Sequence, residues 1–428
     1  MGDSFRDRIP VIIDTDPGVD DVIAILLAIA SPELEILSYT VSYGNTEIDA
    51  SYLNVLKIYQ TLKQHLERFP SDRDRFPNFT TATKPILARG SAGPLEGKLH
   101  SAQYFHGRDG LGDITDRHPE LALPSGIDLD LHPYLVISQR SAVDVAFDIL
   151  KARPPRSVTY IALGPLTNLA LLMRKDSQLV ADRIGRVVCM GGALDVPGNT
   201  SAVAEFNFFA DPYAVKELLI ATHRHKGLPK DRFLMLPLDI TTPHELPFPE
   251  YQKSVDPAFS IIASPSLAQG HLKSPVTHFT SAFLERTREI MIQFGKDAME
   301  LHDIVAVWCA IENPPFADNE TPKLATGWHG QSRVFDIERE GEITRGMLVT
   351  DRREDESAYP LGANRSEAQR EPHDGHQGQS TGDSISKKDI HWDLNEDGSG
   401  IFCITQTPGP SVLLQLLLQR VWGVSLKH

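Results

Sequence analysis

Residues 11–28 read VIIDTDPGVDDVIAILLA, and the order of residue types in this stretch decides the fold. Three β-branched residues lead into Asp14, Pro17-Gly18 supplies a turn, and an apolar run with helical spacing follows over 20–30. The segment therefore reads as strand, turn and helix. Further strands are predicted over 35–42, 158–163, 186–190 and 233–238, and further helices over 50–67 and 166–175. Short β-branched runs alternating with longer amphipathic ones predict an α/β fold with a mostly parallel central sheet flanked by helices. In such a sheet, ligands bind outside the carboxyl ends of the strands, so the strand ends are where a site is to be sought.

The chain has 428 residues, enough for two or three domains or for one large α/β domain with insertions. Segments 69–83 and 118–132 break the pattern with charged, proline-containing sequence and read as surface insertions. A third segment, 354–386, has six apolar residues among 33, too few to offset the entropy of ordering, and is predicted to be a disordered loop inside the domain. Ordered sequence resumes after it with a strand over 400–405 and a helix over 411–421.

Lys and Arg total 42 against 57 for Asp and Glu, a net charge of −15, and no dense basic run offers a footprint for nucleic acid or an anionic membrane. The 354–386 segment carries seven acids and two bases, so a third of that charge is assigned to solvation of the loop. Cys189, Cys309 and Cys403 are odd in number and form no CxxC pair. That argues against a disulfide framework or a zinc ribbon and for a reducing compartment. With no secretory pattern at the start, and only nine residues in the apolar run 22–30, the protein is expected to be soluble and cytoplasmic.

Four aspartates, Asp14, Asp16, Asp20 and Asp21, fall within eight residues between apolar flanks. Residues two apart on a strand share a face, so Asp14 and Asp16 are expected to point the same way, while Asp20 and Asp21 open the helix. A helix N-terminus favours one or two anions. Four crowded carboxylates in a partly dry site repel one another unless some are protonated or a cation sits among them. With oxygen ligands and no nearby Cys, the fitting cation is hard, Ca²⁺ or Mg²⁺. The bland alternative is a capped helix with solvated acids, against which the apolar flanks and the strand-turn-helix placement argue. A phosphatase of the haloacid dehalogenase type also opens with DxD after a strand, but that pattern wants Thr or Val where this chain has Gly18.

The block 14–21, DTDPGVDD, resembles the N-terminal signature of the inosine/uridine-preferring nucleoside hydrolases, and further blocks follow in that family's order. They are Tyr43-Gly44-Asn45, the FHGRDGLG of 105–112, the ALGPLTN of 162–168, Met190-Gly191-Gly192, and Asn199 ahead of the AEFN of 204–207 and Asp211-Pro212. Leu301-His302-Asp303, the TRGM of 344–347 and the TPGP of 407–410 complete the series. The blocks cover nearly the whole chain except the three insertions, whose length makes it similar to fungal-type uridine nucleosidases. Two departures stand out: Ile304 follows Asp303 where the family usually has Pro, and Asn199 lies nine positions after Met190, one more than in some members.

The resemblance implies a single nucleoside hydrolase domain over 8–428 that cleaves the N-glycosidic bond of a ribonucleoside such as uridine or inosine, giving free base and ribose. It implies Ca²⁺ held by the side chains of Asp16, Asp21 and Asp303 and the carbonyl of Leu163, with Asp16 as general base on the water and Asp14 supporting the cluster from behind. It assigns the ribose to Asp20 and Asn45 on the 2′ side, Asn207 and Asp303 on the 3′ side, and Asn199 with Glu205 at the 5′-hydroxyl, with Met190 under the sugar. A 5′-phosphate would meet Glu205 as a like charge, which favours nucleosides over nucleotides. His106 and His302 fall on the nucleobase side, where a ring titrating near neutrality can protonate the departing base. Phe206 is expected in the core, and His244 and His278 carry no assigned role. A homodimer or homotetramer is the family expectation. Two other readings are a catalytically silent or altered-specificity metal-binding member of the same fold, and a divalent-metal phosphatase, for which no phosphate-cradling Lys or Gly-rich loop is present.

Overall fold

The computed structural model describes residues 8–124, 126, 131–220, 227–260, 272–316, 323–351 and 400–424. Its strands in chain order are β1 (Ile9–Thr15), β2 (Leu34–Val41), β3 (Ile86–Arg89), β4 (Val136–Ile137), β5 (Val158–Ala162), β6 (Ile184–Met190) and β7 (Phe233–Leu236). Then come β8 (Glu245–Pro247), β9 (Ala298–Glu300), β10 (His329–Arg333), β11 (Asp336–Ile337), β12 (Leu348–Val349) and β13 (Ile401–Gln406). Nine of these form one sheet in the order β10-β13-β7-β6-β5-β1-β2-β3-β4. Every pair in it is parallel except β10 with β13 at the edge. Two antiparallel ribbons, β8 with β9 and β11 with β12, lie outside it.

Alternation along the central strands divides the core in two. Val11, Ile13, Ile161, Val188 and Met190 enter one apolar cluster, while Ile12, Tyr160, Ala162, Val187 and Cys189 enter the other. Both faces of the sheet are thus buried, which is why these strands read as near-continuous apolar runs. The first cluster is covered by helices Val19–Ile29, Ile48–Arg68, Pro275–Gln293, His302–Glu312 and Pro410–Trp422. The second is covered by Ala142–Ala152, Thr167–Lys175 and Pro212–Leu219. This is the predicted α/β architecture. Helix Val19–Ile29 has every residue but Asp20 buried, because it is wedged between the sheet and the helices His302–Glu312, Pro275–Gln293 and Pro410–Trp422. A helix that is apolar all round can exist only in such an enclosure.

The predicted strands and helices are present with ends shifted by a few residues. Strands β3, β4 and β10 and the helices Pro275–Gln293 and His302–Glu312 are additions that the pattern did not announce. Segment 69–83 is more than a surface excursion: after a 3₁₀ turn over Pro70–Arg75, Phe76 and Phe79 drop into the first core cluster. Segment 118–132 opens with the buried His118 and a 3₁₀ turn, Pro119–Leu121. The 354–386 segment lies outside the described residues. Among the described residues no helix is long and apolar enough to cross a membrane.

Candidate active site

The carboxyl ends of β1, β2, β5 and β6 open on one edge of the sheet and deliver Asp16, Asn45, Leu163 and Met190 to it. Helix Val19–Ile29 brings Asp20 and Asp21, and helix His302–Glu312 brings Asp303 in its first turn. Carboxylate oxygens of Asp20, Asp21 and Asp303 lie within 4.8 Å of one another. Asp21 is fixed from four sides. Its Oδ1 accepts from Thr15 Oγ1 at 2.5 Å and the Asp16 N–H at 3.2 Å, and its Oδ2 from the Gly18 N–H at 3.1 Å and Asn45 Nδ2 at 2.8 Å.

Asp16 is held less completely. Its Oδ2 accepts the Asn45 N–H at 2.7 Å, but its Oδ1 is buried with no hydrogen-bond partner. Two glycines make room for this carboxylate: a Cβ on Gly44 would lie 2.0 Å from Oδ2, and one on Gly164 would lie 2.5 Å from Oδ1. Asp14 spends both its oxygens on the surrounding protein, Oδ2 on the Tyr160 hydroxyl at 2.7 Å and Oδ1 on Asn168 Nδ2 at 2.9 Å.

The repulsion foreseen for these acids is visible in their proton affinities. Burial pushes the Asp14 carboxyl up to about 7 against the hydrogen bonds from Asn168 and Tyr160. Burial, and then the charge of Asp21, holds Asp16 well above the usual carboxylate range. Burial first, and then neighbouring acids, raise both Asp20 and Asp303. A divalent cation would reverse this, since buried carboxylates need a partner to remain charged. The unpartnered Asp16 Oδ1 and an all-oxygen donor set fit a hard ion.

Beside the acids lies a cavity of about 440 Å³, within the size range of small-molecule sites. Of the residues singled out in the sequence, Asp20, Asn45, His106, Leu163 and Met190 line it, as do Asn199, Glu205, Asn207, His302 and Asp303. Asp16 and Asp21 do not line it and reach it through Asn45. Asn207 Nδ2 donates to the Leu163 carbonyl at 2.6 Å, which leaves its Oδ1 available. Glu205 caps helix Phe206–Ala210: its oxygens accept the N–H groups of Asn207, Phe208 and Gly192 at 2.7, 3.1 and 2.8 Å. Burial nevertheless raises its carboxyl. Asn199 Oδ1 accepts the Phe206 N–H at 2.9 Å.

The two histidines differ. His106 Nδ1 accepts the Val19 N–H at 3.2 Å, so Nε2 carries the ring proton. Burial, with His302 adding to it, pushes the His106 ring down to about 3, so it is neutral at physiological pH and does not titrate near neutrality as expected. His302 sits between Thr241 Oγ1, 2.8 Å from Nδ1, and Glu300 Oε2, 3.1 Å from Nε2. Although burial alone would raise Glu300, His302 and Lys296 together hold it at about 2.

Sequence reasoning missed part of the wall. Tyr104, Phe105, Met291, Phe294, Lys296 and Glu300 also line the cavity, and Tyr104 and Phe294 are 63% and 69% exposed. Tyr104 and Phe105 directly precede His106 and were within reach of notice, whereas Phe294 follows a helix with no motif. Phe206 is buried, but it lines the cavity as well. It is the first residue of helix Phe206–Ala210, between Glu205 and Asn207, which line the same cavity.

Comparison with known proteins agrees with this geometry. The inosine-uridine preferring nucleoside hydrolase family matches over residues 11–373. The pyrimidine-specific ribonucleoside hydrolase RihA of Salmonella arizonae is 31% identical over 343 residues, covering 80% of this chain and 88% of the relative. Uridine nucleosidase 1 of Arabidopsis thaliana is 36% identical over 214 residues, 50% of this chain and 54% of that one. Among solved structures, a purine-preferring ribonucleoside hydrolase from Gardnerella vaginalis shares the fold with a TM-score of 0.61 at 20% identity, covering 97% of this chain and 98% of that chain. An acid-lined cavity at the carboxyl edge of a parallel sheet and a family match across most of the chain lead to one conclusion: this chain belongs to the inosine-uridine preferring nucleoside hydrolases, and it is an N-ribosyl hydrolase acting on ribonucleosides.

Proposed function

We propose that the chain hydrolyses uridine, inosine or a similar ribonucleoside in a Ca²⁺-dependent reaction in which Asp16 takes the proton of the attacking water. The observation that carries this reading is Asp16 Oδ1, a buried carboxylate oxygen without a partner beside the Asp20, Asp21 and Asp303 cluster. Asp16, Asp21, Asp303 and the Leu163 carbonyl would hold the ion. When bound, it offsets the repulsion among the carboxylates and acts as a Lewis acid toward the oxygens it contacts.

The residues then divide the work. The water oxygen bonds to C1′ of the ribose as the C1′–N bond breaks, and the bonding pair leaves with the base. Positive charge grows on the ribose ring during this step, so an acid-rich wall binds the transition state more tightly than the ground state. Asp16 accepts the water's proton, since its buried Oδ1 has no other partner and a cation would keep the carboxylate ionised beforehand. His302 delivers a proton to the departing base, and the neutral His106 ring offers its Nε2–H as a hydrogen-bond donor. Asp20 and Asn45 face the 2′-hydroxyl, Asn207 and Asp303 the 3′-hydroxyl, and Asn199 and Glu205 the 5′-hydroxyl, with Met190 beneath the sugar. Cytoplasmic residence, in keeping with three buried free cysteines, and a dimeric or tetrameric assembly belong to the same reading.

The names of the curated relatives put uridine first in a substrate panel. Incubation with uridine, inosine, cytidine and guanosine, followed by chromatography, should show free base and ribose in equal amounts. Inertness toward the whole panel together with hydrolysis of p-nitrophenyl phosphate would sink the reading.

A further inference from the structure

Away from the cavity, His118, Glu120 and His278 each bring one ligand atom to within 4.8 Å of the others. His118 Nδ1 and His278 Nε2 lie 3.1 and 3.0 Å from the same oxygen, Glu120 Oε1, and the two rings meet edge to face with centroids 5.4 Å apart. Both histidines are buried, and Glu120 sits at the surface, 36% exposed. Neither histidine took part in the reading of the active site.

As a hydrogen-bonded trio the group is satisfied at Glu120 Oε1, whose two lone pairs can take both ring N–H groups. As a ligand set it is well arranged. Tetrahedral zinc with bonds of about 2.0–2.2 Å separates its ligand atoms by about 3.3–3.6 Å, so the spacings of 3.1 and 3.0 Å seen here would have to open by only about 0.2–0.6 Å to admit it. Two imidazoles with one carboxylate suit zinc, whereas the oxygen cluster of the cavity suits a harder ion. The adjacent cation, Arg117, is tied to the Gly112 and Ala282 carbonyls at 2.9 and 2.6 Å. Burial keeps the His118 ring below its ordinary value and therefore free to offer a lone pair.

We propose that His118, Glu120 and His278 form a second metal site that takes Zn²⁺, with its fourth position open to solvent on the Glu120 side. The site joins two separate walls of the cavity. His118 follows the segment that carries His106, and His278 lies on helix Pro275–Gln293, whose far end leads to Met291 and Phe294. Zinc there acts as a clamp between residue 118, where an insertion begins, and a core helix, and the nucleoside reaction does not pass through it.

The test is calorimetric titration of Zn²⁺ into the full chain, stripped by chelator and then saturated with Ca²⁺ to occupy the acidic cluster. One Zn²⁺ per chain is expected. At zinc a hundred times its dissociation constant, the melting temperature should rise on the order of 3 °C. His278→Gln removes a buried ligand, and Glu120→Gln removes an exposed one without threatening the fold. Each should weaken zinc binding by more than about 100-fold, the upper range for changes one layer further from a metal. Co²⁺ in place of Zn²⁺ should give the visible bands of a tetrahedral ion, lost in both variants. No zinc bound to the calcium-saturated chain, or binding that survives both substitutions, overturns the proposal whether or not calcium drives hydrolysis.

Discussion

Replacing Gly164 by Ala tests whether the position of the Asp16 carboxylate sets the rate. A Cβ at 164 would stand 2.5 Å from Asp16 Oδ1 and 3.0 Å from its Cγ. Restoring ordinary contact at 3.4 Å requires a shift of about 0.9 Å. Asp16 has little room to give. Its Oδ2 is held by the Asn45 N–H, and Gly44 closes that side so tightly that a Cβ there would lie 2.0 Å from Oδ2. Gly164 is not in the left-handed region, so Ala is tolerable to the backbone itself. Overpacking then costs about 1–3 kcal/mol of stability, which leaves the chain folded. A misplacement of about 1 Å at a reacting group costs about 100-fold in rate, or about 2.7 kcal/mol of barrier. Gly164→Ala should therefore lower kcat/KM for uridine about 100-fold at saturating Ca²⁺ while circular dichroism stays native. Gly93→Ala is the control, since nothing lies within 4 Å of its Cβ position. A folded Gly164→Ala enzyme with the parent's kcat/KM would refute the reasoning.

Acidity should oppose calcium. Asp16, Asp20 and Asp303 hold protons above the usual carboxylate range, Asp20 up to about 7, and the ion must displace them. Affinity should thus fall as pH drops through about 7, about tenfold per unit for each displaced proton; calorimetry in buffers of different ionisation enthalpy counts them, and a count of zero contradicts the cluster. By the same linkage the cation-free protein, whose folded form binds these protons more tightly than the unfolded chain, should lose stability as pH rises toward about 7 and regain it on adding Ca²⁺. Glu205→Gln leaves one side-chain oxygen where two accepted three N–H groups, so denaturant melts should show a loss of about 1–3 kcal/mol, and an unchanged melt would remove the cap from the account. Deleting 354–386 should leave turnover intact; a folded but inactive deletion variant would place that segment in the site.

Much of the site was legible because its chemistry is local in sequence. The strand-turn-helix of 11–28 places Asp16, Asp20 and Asp21 within a few residues, and their crowding between apolar flanks already demanded protons or a cation. The near-continuous apolar runs of β1, β5 and β6 announced strands buried on both faces. Strand β10 escaped because HGQSR, mostly exposed at an edge, has neither an apolar run nor alternation. Helix Pro275–Gln293 escaped because its buried positions include His278, Thr280, Ser281, Glu285, Thr287 and Arg288, which blur the apolar stripe.

Roles set by tertiary contact were out of reach for a different reason. Asp14 and Asp16 differ not in type but in neighbours: Tyr160 and Asn168 occupy the first, and glycines surround the second. The depressed His106 ring depends on burial and on His302, far away in sequence. His118 and His278 looked unremarkable until the fold brought them to one oxygen of Glu120.

The central claim, that Asp16 acts as base within a calcium-loaded carboxylate cluster, is tested most directly by titrating Ca²⁺ into chelator-stripped enzyme and its Asp16→Asn variant while release of uracil from uridine is followed by chromatography. The account predicts that the parent is silent without Ca²⁺ and gains turnover along its binding curve, whereas folded Asp16→Asn stays nearly silent at every concentration. Turnover by the stripped parent, or parent-like turnover by Asp16→Asn, would contradict it.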